Sequence, residues 1–152
     1  MRILAALLLL GAASPPAPLA LTDLRGERVE VALAPDEGAL VLHFWATWCP
    51  SCVEELGVLD RAMERCAGAG VRMLTVNVGE DLDTVQRYAA EHGLRLGLLR
   101  DPGGAVWRAV TGVGLPANLV WTPAGRRVEL GPRSAARWAD ELERLGCHAA
   151  EP

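Results

Sequence analysis

The sequence predicts one α/β domain, in which a central mixed β-sheet is flanked by helices on both faces. A near-continuous apolar run at 39–45 is typical of a strand that is covered on both faces, and 71–78 is a second β-rich run. Segments with apolar residues at every third or fourth position follow these runs and predict amphipathic helices. Two later β-rich segments are separated by a short turn, which predicts an antiparallel hairpin. The domain is predicted to cover 21–148, between a leader at 1–20 and a C-terminal tail at 149–152.

The segment 1–20 has the pattern of an export leader. Arg2 is followed by an apolar stretch at 3–13 and then by a proline-rich stretch at 14–20. The apolar stretch is well short of the roughly twenty residues that span a bilayer, which is typical of a secretory signal peptide. A weak membrane anchor and a buried N-terminal helix are the alternatives.

Two short strands, 21–26 and 28–33, are predicted to form an N-terminal β-hairpin extension of the sheet. The buried strand at 39–45 then leads into a helix that starts at Pro50 and continues to about Ala67, where a glycine pair ends it. The residues assigned to the polar face of this helix are Glu54, Glu55, Asp60, Arg61 and Glu64.

A second strand and helix follow at 71–78 and 81–92, and Gly93 ends the helix. A strand, a helix and a second strand in this order imply a right-handed parallel crossover. A short strand at 96–99 and a short helix at 104–111 come next.

The C-terminal part of the domain is predicted to hold a hairpin and a last helix. The hairpin strands are 117–121 and 127–130, on either side of a Pro-Ala-Gly turn. The helix begins after Ser134, whose hydroxyl is a favoured N-cap acceptor, and ends at Leu145 before Gly146.

Two cysteines mark the junction between the buried strand and the first helix. Cys49 and Cys52 are separated by Pro50 and Ser51. Proline is favoured at the first helical position because its missing N–H would have no intrahelical partner. Cys49 is then the N-cap residue, where free N–H groups and the positive end of the helix dipole favour a thiolate. Cys52 lies one turn deeper and is expected to be the resolving thiol.

Two other uses of a C-x-x-C pair fit this sequence less well. A closed zinc site needs two further ligands, and the remaining cysteines and histidines show no second ligand spacing of the zinc type. A purely structural disulfide rarely lies between a tryptophan, here Trp48, and a helix start. We therefore predict a redox-active Cys49–Cys52 disulfide, with no metal and no further cofactor.

The motif Phe-Trp-Ala-Thr-Trp-Cys-Pro-Ser-Cys at 44–52 resembles the active-site signature of the TlpA/ResA-like thiol-disulfide oxidoreductases. Blocks at 76–80, 101–104, 112–116 and 123–128 resemble further parts of that family in the same order. The resemblance extends over almost all of the chain after the leader. It implies a thioredoxin-like fold and a protein thiol-disulfide oxidoreductase activity.

The family resemblance implies an exported reductase that is periplasmic or otherwise extracytoplasmic, either secreted or anchored. Pro50 and Ser51 place no charge between the two sulfurs, and a weakly stabilised thiolate favours a reducing couple. The implied partners are oxidised client proteins, among them apocytochrome c, and a membrane electron donor of the thiol-reducing type. The net charge of −4 disfavours nucleic acid as a partner, and we expect a monomer.

Two rival functions remain open at this point. A general disulfide oxidase or isomerase would use the same cysteines with a more oxidising potential. A Cu(I) metallochaperone would hold the metal between the two thiolates, although such proteins typically space their cysteines by three residues and add a histidine.

Pro116 precedes a predicted strand, where the sequence alone allows either a trans or a cis peptide bond. The family resemblance implies a cis proline that packs against the dithiol. It also implies that Trp48, Pro50, Leu115 and Pro116 form the substrate-binding surface, to which an extended client adds as a strand.

Two ionisable residues are further candidates for the chemistry. Glu80 follows a predicted strand and on its own is an ordinary acid of a first helical turn. The resemblance implies that Glu80 takes part in the proton chemistry of the dithiol. His43 lies six residues before Cys49, where relatives carry other polar residues. A histidine in an apolar strand is usually a satisfied core residue, but a ring that faces Cys52 could accept its proton.

Cys66 and Cys147 lie near the C-terminal ends of the first and last predicted helices. In a thioredoxin-like fold these helices cover the same face of the sheet and run in the same direction. We therefore predict a second, structural disulfide between them. Two separate thiols are the alternative.

Overall fold

The computed structural model describes residues 16–66 and 68–148. The predicted tail and residues 1–15 of the predicted leader lie outside the described residues. The strands are β1 (Leu19–Thr22), β2 (Arg28–Val31), β3 (Ala39–Trp45), β4 (Val71–Val78), β5 (Gly97–Asp101), β6 (Ala117–Thr122) and β7 (Gly125–Leu130). The helices are α1 (Pro50–Cys66), α2 (Leu82–His92), α3 (Ala105–Val110) and α4 (Ala135–Arg144).

In the described part of the chain, seven strands form one mixed sheet in the order β2-β1-β5-β4-β3-β6-β7. The central strands β3, β4 and β5 are parallel, and helices connect them. Strands β6 and β7 form an antiparallel hairpin beside β3, and β1 and β2 form another beside β5. The predicted α/β class with a mixed sheet is therefore confirmed.

Helices cover both faces of the sheet, and β3 shows why its sequence is almost entirely apolar. Every residue of β3 is buried. Side chains of alternate residues point to opposite faces of the sheet, and both faces are covered. Leu40 belongs to a cluster that includes Trp107 of α3. Val41 belongs to a second cluster, with Leu59 of α1 and Trp138 of α4. His43 has the same parity as Val41 and therefore faces the α1 side.

The structure moves several predicted boundaries by a few residues. Strand β1 begins at Leu19, two residues before the predicted domain boundary, because Leu19 is buried and pairs with Val31. Strand β5 continues to Asp101 because it stays in register with β4 up to Val78. The turn between β6 and β7 is shorter than predicted, since Thr122 already pairs with Gly125.

Two helices begin at side-chain caps, of which Ser134 was predicted and Asp81 was predicted only as the first helical residue. The Asp81 carboxylate accepts a hydrogen bond from the backbone N–H of Thr84 at the start of α2. The Ser134 hydroxyl accepts one from the backbone N–H of Arg137 at the start of α4. Such bonds satisfy N–H groups that have no partner within the helix.

The end of α1 is linked covalently to the segment after α4. Cys66 and Cys147 form a disulfide with an S–S distance of 2.07 Å, across a separation of 81 residues. Both cysteines belong to the apolar cluster between α1, α4 and the sheet.

Within residues 16–66 and 68–148, no helix has both the length and the apolar composition of a membrane span.

Candidate active site

The two cysteines of the C-x-x-C motif lie where β3 ends and α1 begins. The carbonyl of Cys49 accepts the N–H of Val53 at 3.2 Å, and Pro50 is the first helical residue, so Cys49 occupies the N-cap position. Cys49 and Cys52 form a disulfide with an S–S distance of 2.10 Å and a Cα–Cα distance of 5.3 Å. The structure therefore shows the oxidised state of the pair.

The two sulfurs differ in their access to solvent. Cys49 is 6% exposed, whereas Cys52 is fully buried. Both pack in an apolar cluster with Trp45, Leu56 and Val85. The greater exposure of Cys49 agrees with the order expected of a nucleophilic cysteine and a more deeply buried resolving cysteine.

The residues predicted to bind substrate lie around this cluster. Trp48 is 69% exposed directly before Cys49, and Pro50 is exposed directly after it. The peptide bond between Leu115 and Pro116 is cis, and the Leu115 side chain packs against the cluster that holds the disulfide. The structure thus brings these four predicted residues to one region.

Glu80 contacts the loop that leads to Cys49. Its carboxylate accepts the backbone N–H of Thr47 at 2.8 Å, the Thr47 hydroxyl at 2.5 Å and the Asn77 side-chain amide at 2.6 Å. In the described part of the chain, these are the partners of the Glu80 carboxylate. The contacts hold the backbone two residues before Cys49, whereas the resemblance implied proton chemistry at the sulfurs.

His43 is fully buried beside the backbone of Cys52. Its Nε2 atom lies 3.1 Å from the carbonyl oxygen of Cys52, and its Nδ1 atom lies 2.7 Å from Oδ1 of Asn118. Oε2 of Glu55 is 3.7 Å from Nδ1. Both ring nitrogens therefore face oxygen atoms, which can accept the second N–H that the ring gains when it is protonated.

Glu55 is a site residue that the sequence analysis assigned to the exposed face of α1, and this assignment was wrong. Glu55 is 1% exposed. Its carboxylate accepts the Asn118 amide at 3.1 Å, the Trp138 indole N–H at 2.9 Å and the backbone N–H of Arg133 at 2.8 Å. Glu55 lies three residues after Cys52, and residues three apart share one face of a helix.

The spacing from Cys52 is the signal that could have identified Glu55 from the sequence. Asn118 carried no comparable signal, because its role depends on the antiparallel pairing that places it opposite His43. The three polar side chains His43, Asn118 and Glu55 form one hydrogen-bonded group, which we call the buried triad.

The surroundings of His43 act on its pKa in opposite directions. Burial lowers the pKa of His43 below its ordinary value of 6.5, while the bond to Asn118 and the charge of Glu55 oppose this change. The net lowering keeps the ring neutral near pH 7. A neutral ring with its hydrogen on Nδ1, directed at Asn118, leaves the lone pair of Nε2 on the side of Cys52.

Comparison with known proteins places this site in a family. The profile of the AhpC/TSA family matches residues 13–126. The thiol-disulfide oxidoreductase ResA of Bacillus subtilis is 28% identical over 110 residues, which are 72% of this chain and 61% of that protein. ResA of Halalkalibacterium halodurans is 31% identical over 110 residues, which are 72% of this chain and 62% of that protein. The matched region thus spans about three fifths of these two relatives.

A solved structure supports the same fold. The thiol:disulfide interchange protein of Chlorobium tepidum TLS, described as a thioredoxin family protein, superposes with a TM-score of 0.70 at 24% sequence identity. The superposition covers 91% of this chain and 99% of that one. With the cysteine pair at the start of α1 and the family profile over most of its length, this chain belongs to the AhpC/TSA family of thioredoxin-fold proteins, and its resemblance to the ResA-like oxidoreductases is confirmed.

Proposed function

We propose that the protein is an exported thiol-disulfide reductase that reduces cysteine pairs in client proteins. One observation supports the proposal more strongly than the others do. The Cys49–Cys52 disulfide lies at a helix start with only Cys49 open to solvent. A helix start stabilises a thiolate, and a buried neighbour one turn away can resolve the mixed disulfide. The names of the ResA relatives support a thiol-disulfide exchange activity.

The proposed reaction consists of two exchanges at sulfur. The Cys49 thiolate attacks a client disulfide, a bond forms between Cys49 and the client, and one client thiolate leaves. The Cys52 thiolate then attacks the Cys49 sulfur, the Cys49–Cys52 disulfide forms, and the second client thiolate leaves. The client gains two electrons and two protons, and the protein dithiol loses the same number. A dithiol donor at the membrane would return the protein to its reduced state by the same exchange.

The buried triad suits the second exchange. Cys52 must lose its proton before it attacks, and it is closed to solvent. The neutral ring of His43 can accept this proton at Nε2, and the new N–H can then bond to the Cys52 carbonyl 3.1 Å away. The carboxylate of Glu55 compensates the positive charge of the ring from 3.7 Å.

The reducing character of the couple follows from the charges near the sulfurs. Apart from the helix terminus, the two residues between the cysteines offer no charge to stabilise the Cys49 thiolate. We therefore expect a reduction potential well below the roughly −120 mV of strong disulfide-forming oxidants. Equilibration with glutathione buffers measures this potential. A value near that of the oxidants would favour the oxidase alternative.

A trapping experiment identifies the client proteins. The variant Cys52→Ser cannot resolve the mixed disulfide, so clients should remain bound to Cys49 and be identified by mass spectrometry. The variant Cys49→Ser is the matched control and should retain none. We propose an extracytoplasmic location and apocytochrome c as one client, on the basis of the family resemblance. Absence of apocytochrome c among trapped proteins would contradict this client.

A further inference from the structure

A groove lined by arginines lies between β7 and α4, and the redox chemistry does not use it. The groove encloses about 710 Å³. Its ionisable lining residues are Arg127, Arg133, Arg137, Arg144, Glu129 and Glu141. Four positive and two negative formal charges give this groove a net charge of +2, in a chain whose net charge is −4. An anionic partner is therefore attracted to this surface more than to the molecule as a whole.

The two acids of the groove are already engaged by arginines. The buried carboxylate of Glu141 contacts Arg127, lies 2.9 Å from Nη2 of Arg144 and 3.9 Å from Nη2 of Arg133. Burial alone would raise the pKa of Glu141, but the bonds to Arg144 and Arg127 lower it, so Glu141 stays ionised. Glu129 contacts Arg127 at 3.3 Å and also contacts Arg133.

Two arginines of the groove have side-chain donors without a hydrogen-bond partner among the described residues. Within residues 16–66 and 68–148, the exposed guanidinium of Arg137 has no hydrogen-bond or ion-pair partner. Nε of Arg133 has no hydrogen-bond partner either, although the Arg133 side chain is only 6% exposed. A carboxylate that enters the groove can accept bonds from the exposed Arg137 guanidinium, and arginine is well suited to bind it.

The wall of the groove formed by β7 is an edge of the sheet. Among the described strands, β7 pairs with β6 alone, so the backbone groups on its outer side are open to a further strand. Val128 and Leu130 are exposed on one face of β7. Arg127 and Glu129, at the alternate positions, face α4 through their contacts with Glu141 and Arg133.

We propose that this groove binds an extended acidic segment of a partner protein, which adds to β7 as a further strand. Acidic side chains of the segment would bond to Arg137 and Arg144, and the alternate apolar side chains would cover Val128 and Leu130. A second copy of this chain fits less well. Its own β7 offers two arginines for each glutamate to a groove that is already positive.

The groove reaches the active-site end of the sheet. Leu130 pairs with Ala117, and the N–H of Gly131 donates to the carbonyl of Pro116 at 3.0 Å. The acidic segment can therefore belong to the client whose disulfide reacts at Cys49. This last step rests on the proposed function, whereas binding of the segment does not.

The binding test uses the full oxidised chain and a short fluorescent peptide of alternating Glu and Val without cysteine. Fluorescence anisotropy should show saturable binding, and the same peptide with Gln in place of Glu should bind at least about tenfold more weakly. Binding should weaken as ionic strength rises from about 0.01 M to about 0.15 M, because the screening length falls from about 30 Å to about 8 Å. Equal binding of the two peptides overturns the proposal.

Variants locate the binding site. Among the described residues the Arg137 guanidinium has no hydrogen-bond or ion-pair partner, and the Arg144 side chain is 65% exposed and bonds Glu141 through Nη2, so their replacement removes no buried side chain. The double variant Arg137→Gln/Arg144→Gln should bind the acidic peptide about tenfold more weakly. Arg87→Gln, which removes one charge from the exposed face of α2, is a control outside the groove and should bind as the native chain does. Equal loss in the control overturns the assignment to this groove.

Two further measurements test the strand geometry and the competing occupant. Only every second N–H group of the bound peptide faces β7. Methylation of that set should abolish binding, whereas methylation of the other set should leave binding unchanged. A dimer in sedimentation experiments that the peptide does not dissociate would assign the edge to a second copy and overturn the proposal. Insulin reduction by the native chain is measured separately and tests the proposed function without reference to the groove. Loss of insulin reduction in the native chain would contradict the proposed function alone.

Discussion

His43 is a fully buried strand residue whose two ring nitrogens both face oxygen atoms, and this arrangement supports the proposed role of the ring as a base. The Cys52 carbonyl and the Asn118 side-chain oxygen can accept both hydrogens of the protonated ring, while Glu55 supplies a negative charge nearby. Burial favours the neutral ring, and these neighbours stabilise the charged one. These two properties support the proposed transfer of a proton from Cys52 to the ring.

The variant His43→Asn tests this role. Formation of the mixed disulfide at Cys49 should be nearly unchanged, because that step does not use Cys52. Release of the client should slow by about a hundredfold, in line with the loss of a general base. Stopped-flow quenching followed by mass spectrometry separates the two steps. An equal change in both rates would refute the role of His43.

The lowered pKa of His43 also predicts how stability depends on pH. Between this lowered value and the ordinary value of 6.5, the unfolded chain binds a proton that the folded chain does not. The free energy of unfolding should therefore be highest above about pH 6.5 and decrease as the pH falls through the lowered pKa. Urea unfolding of the oxidised protein should show this decrease, and His43→Asn should reduce it.

The carboxylate of Glu37 changes its contribution to the free energy of unfolding only below its ordinary pKa of 4.5. It therefore does not obscure the effect of His43 at higher pH. Burial raises the pKa of Glu37, but its bonds to Arg72 and to the N–H of Ala34 bring the pKa below the ordinary value of 4.5. Their stabilising effect is present above that value and is lost as the pH falls through the lowered pKa. An identical pH profile for His43→Asn between about pH 7.5 and about pH 5 would contradict the assignment to His43.

Helix α1 and the loop before it form the element that carries the chemistry. Cys49 lies at the N-cap of α1, and Glu80 holds Thr47 in the preceding loop through its backbone N–H and its hydroxyl. Glu80 itself follows β4, which lies beside β3 in the sheet. The ends of two parallel strands thus fix the position of the nucleophile.

The variant Glu80→Gln separates positioning from proton transfer. A neutral amide can replace only part of the hydrogen bonds to Thr47 and Asn77, so the loop before Cys49 should loosen. We expect kcat/KM for insulin reduction to fall about tenfold, with an unchanged pH profile and an unchanged reduction potential. A shifted pH profile would instead support the proton role that the family resemblance implies.

At the scale of the molecule, the Cys66–Cys147 disulfide connects the far end of α1 to the segment after α4. These helices pack together over one face of the sheet and bury Leu59 and Trp138 in a shared cluster. A link across 81 residues restricts the unfolded chain far more than it restricts the folded one. Its main effect is therefore on stability and not on the reaction at Cys49.

The double variant Cys66→Ala/Cys147→Ala should lose up to about 4.5 kcal/mol of unfolding free energy in urea. Insulin reduction should persist under conditions where the variant is folded. Addition of a reductant distinguishes the effects of the two disulfides on stability. It should destabilise the native chain, which loses both disulfides, much more than the variant, which loses only Cys49–Cys52. Equal destabilisation of both proteins would show that the second disulfide contributes little.

The sequence by itself determined the parts of the protein that depend on neighbouring residues. The C-x-x-C pair at a helix start, the cap at Ser134 and the buried strand β3 all follow from local spacing and periodicity. The order of strands and helices then implied the mixed sheet. The same local patterns left the pairing of Cys66 with Cys147 open.

Only the tertiary structure decided how distant polar residues meet. Glu55 contacts Asn118, Trp138 and Arg133 across separations of 63, 83 and 78 residues, and no periodicity within α1 reveals these donors. A glutamate on a helix is usually solvated, and it is buried here because the chain returns with three N–H groups to satisfy it. The arginine groove has the same origin, since its charges come from β7 and α4 and meet only after the sheet has formed.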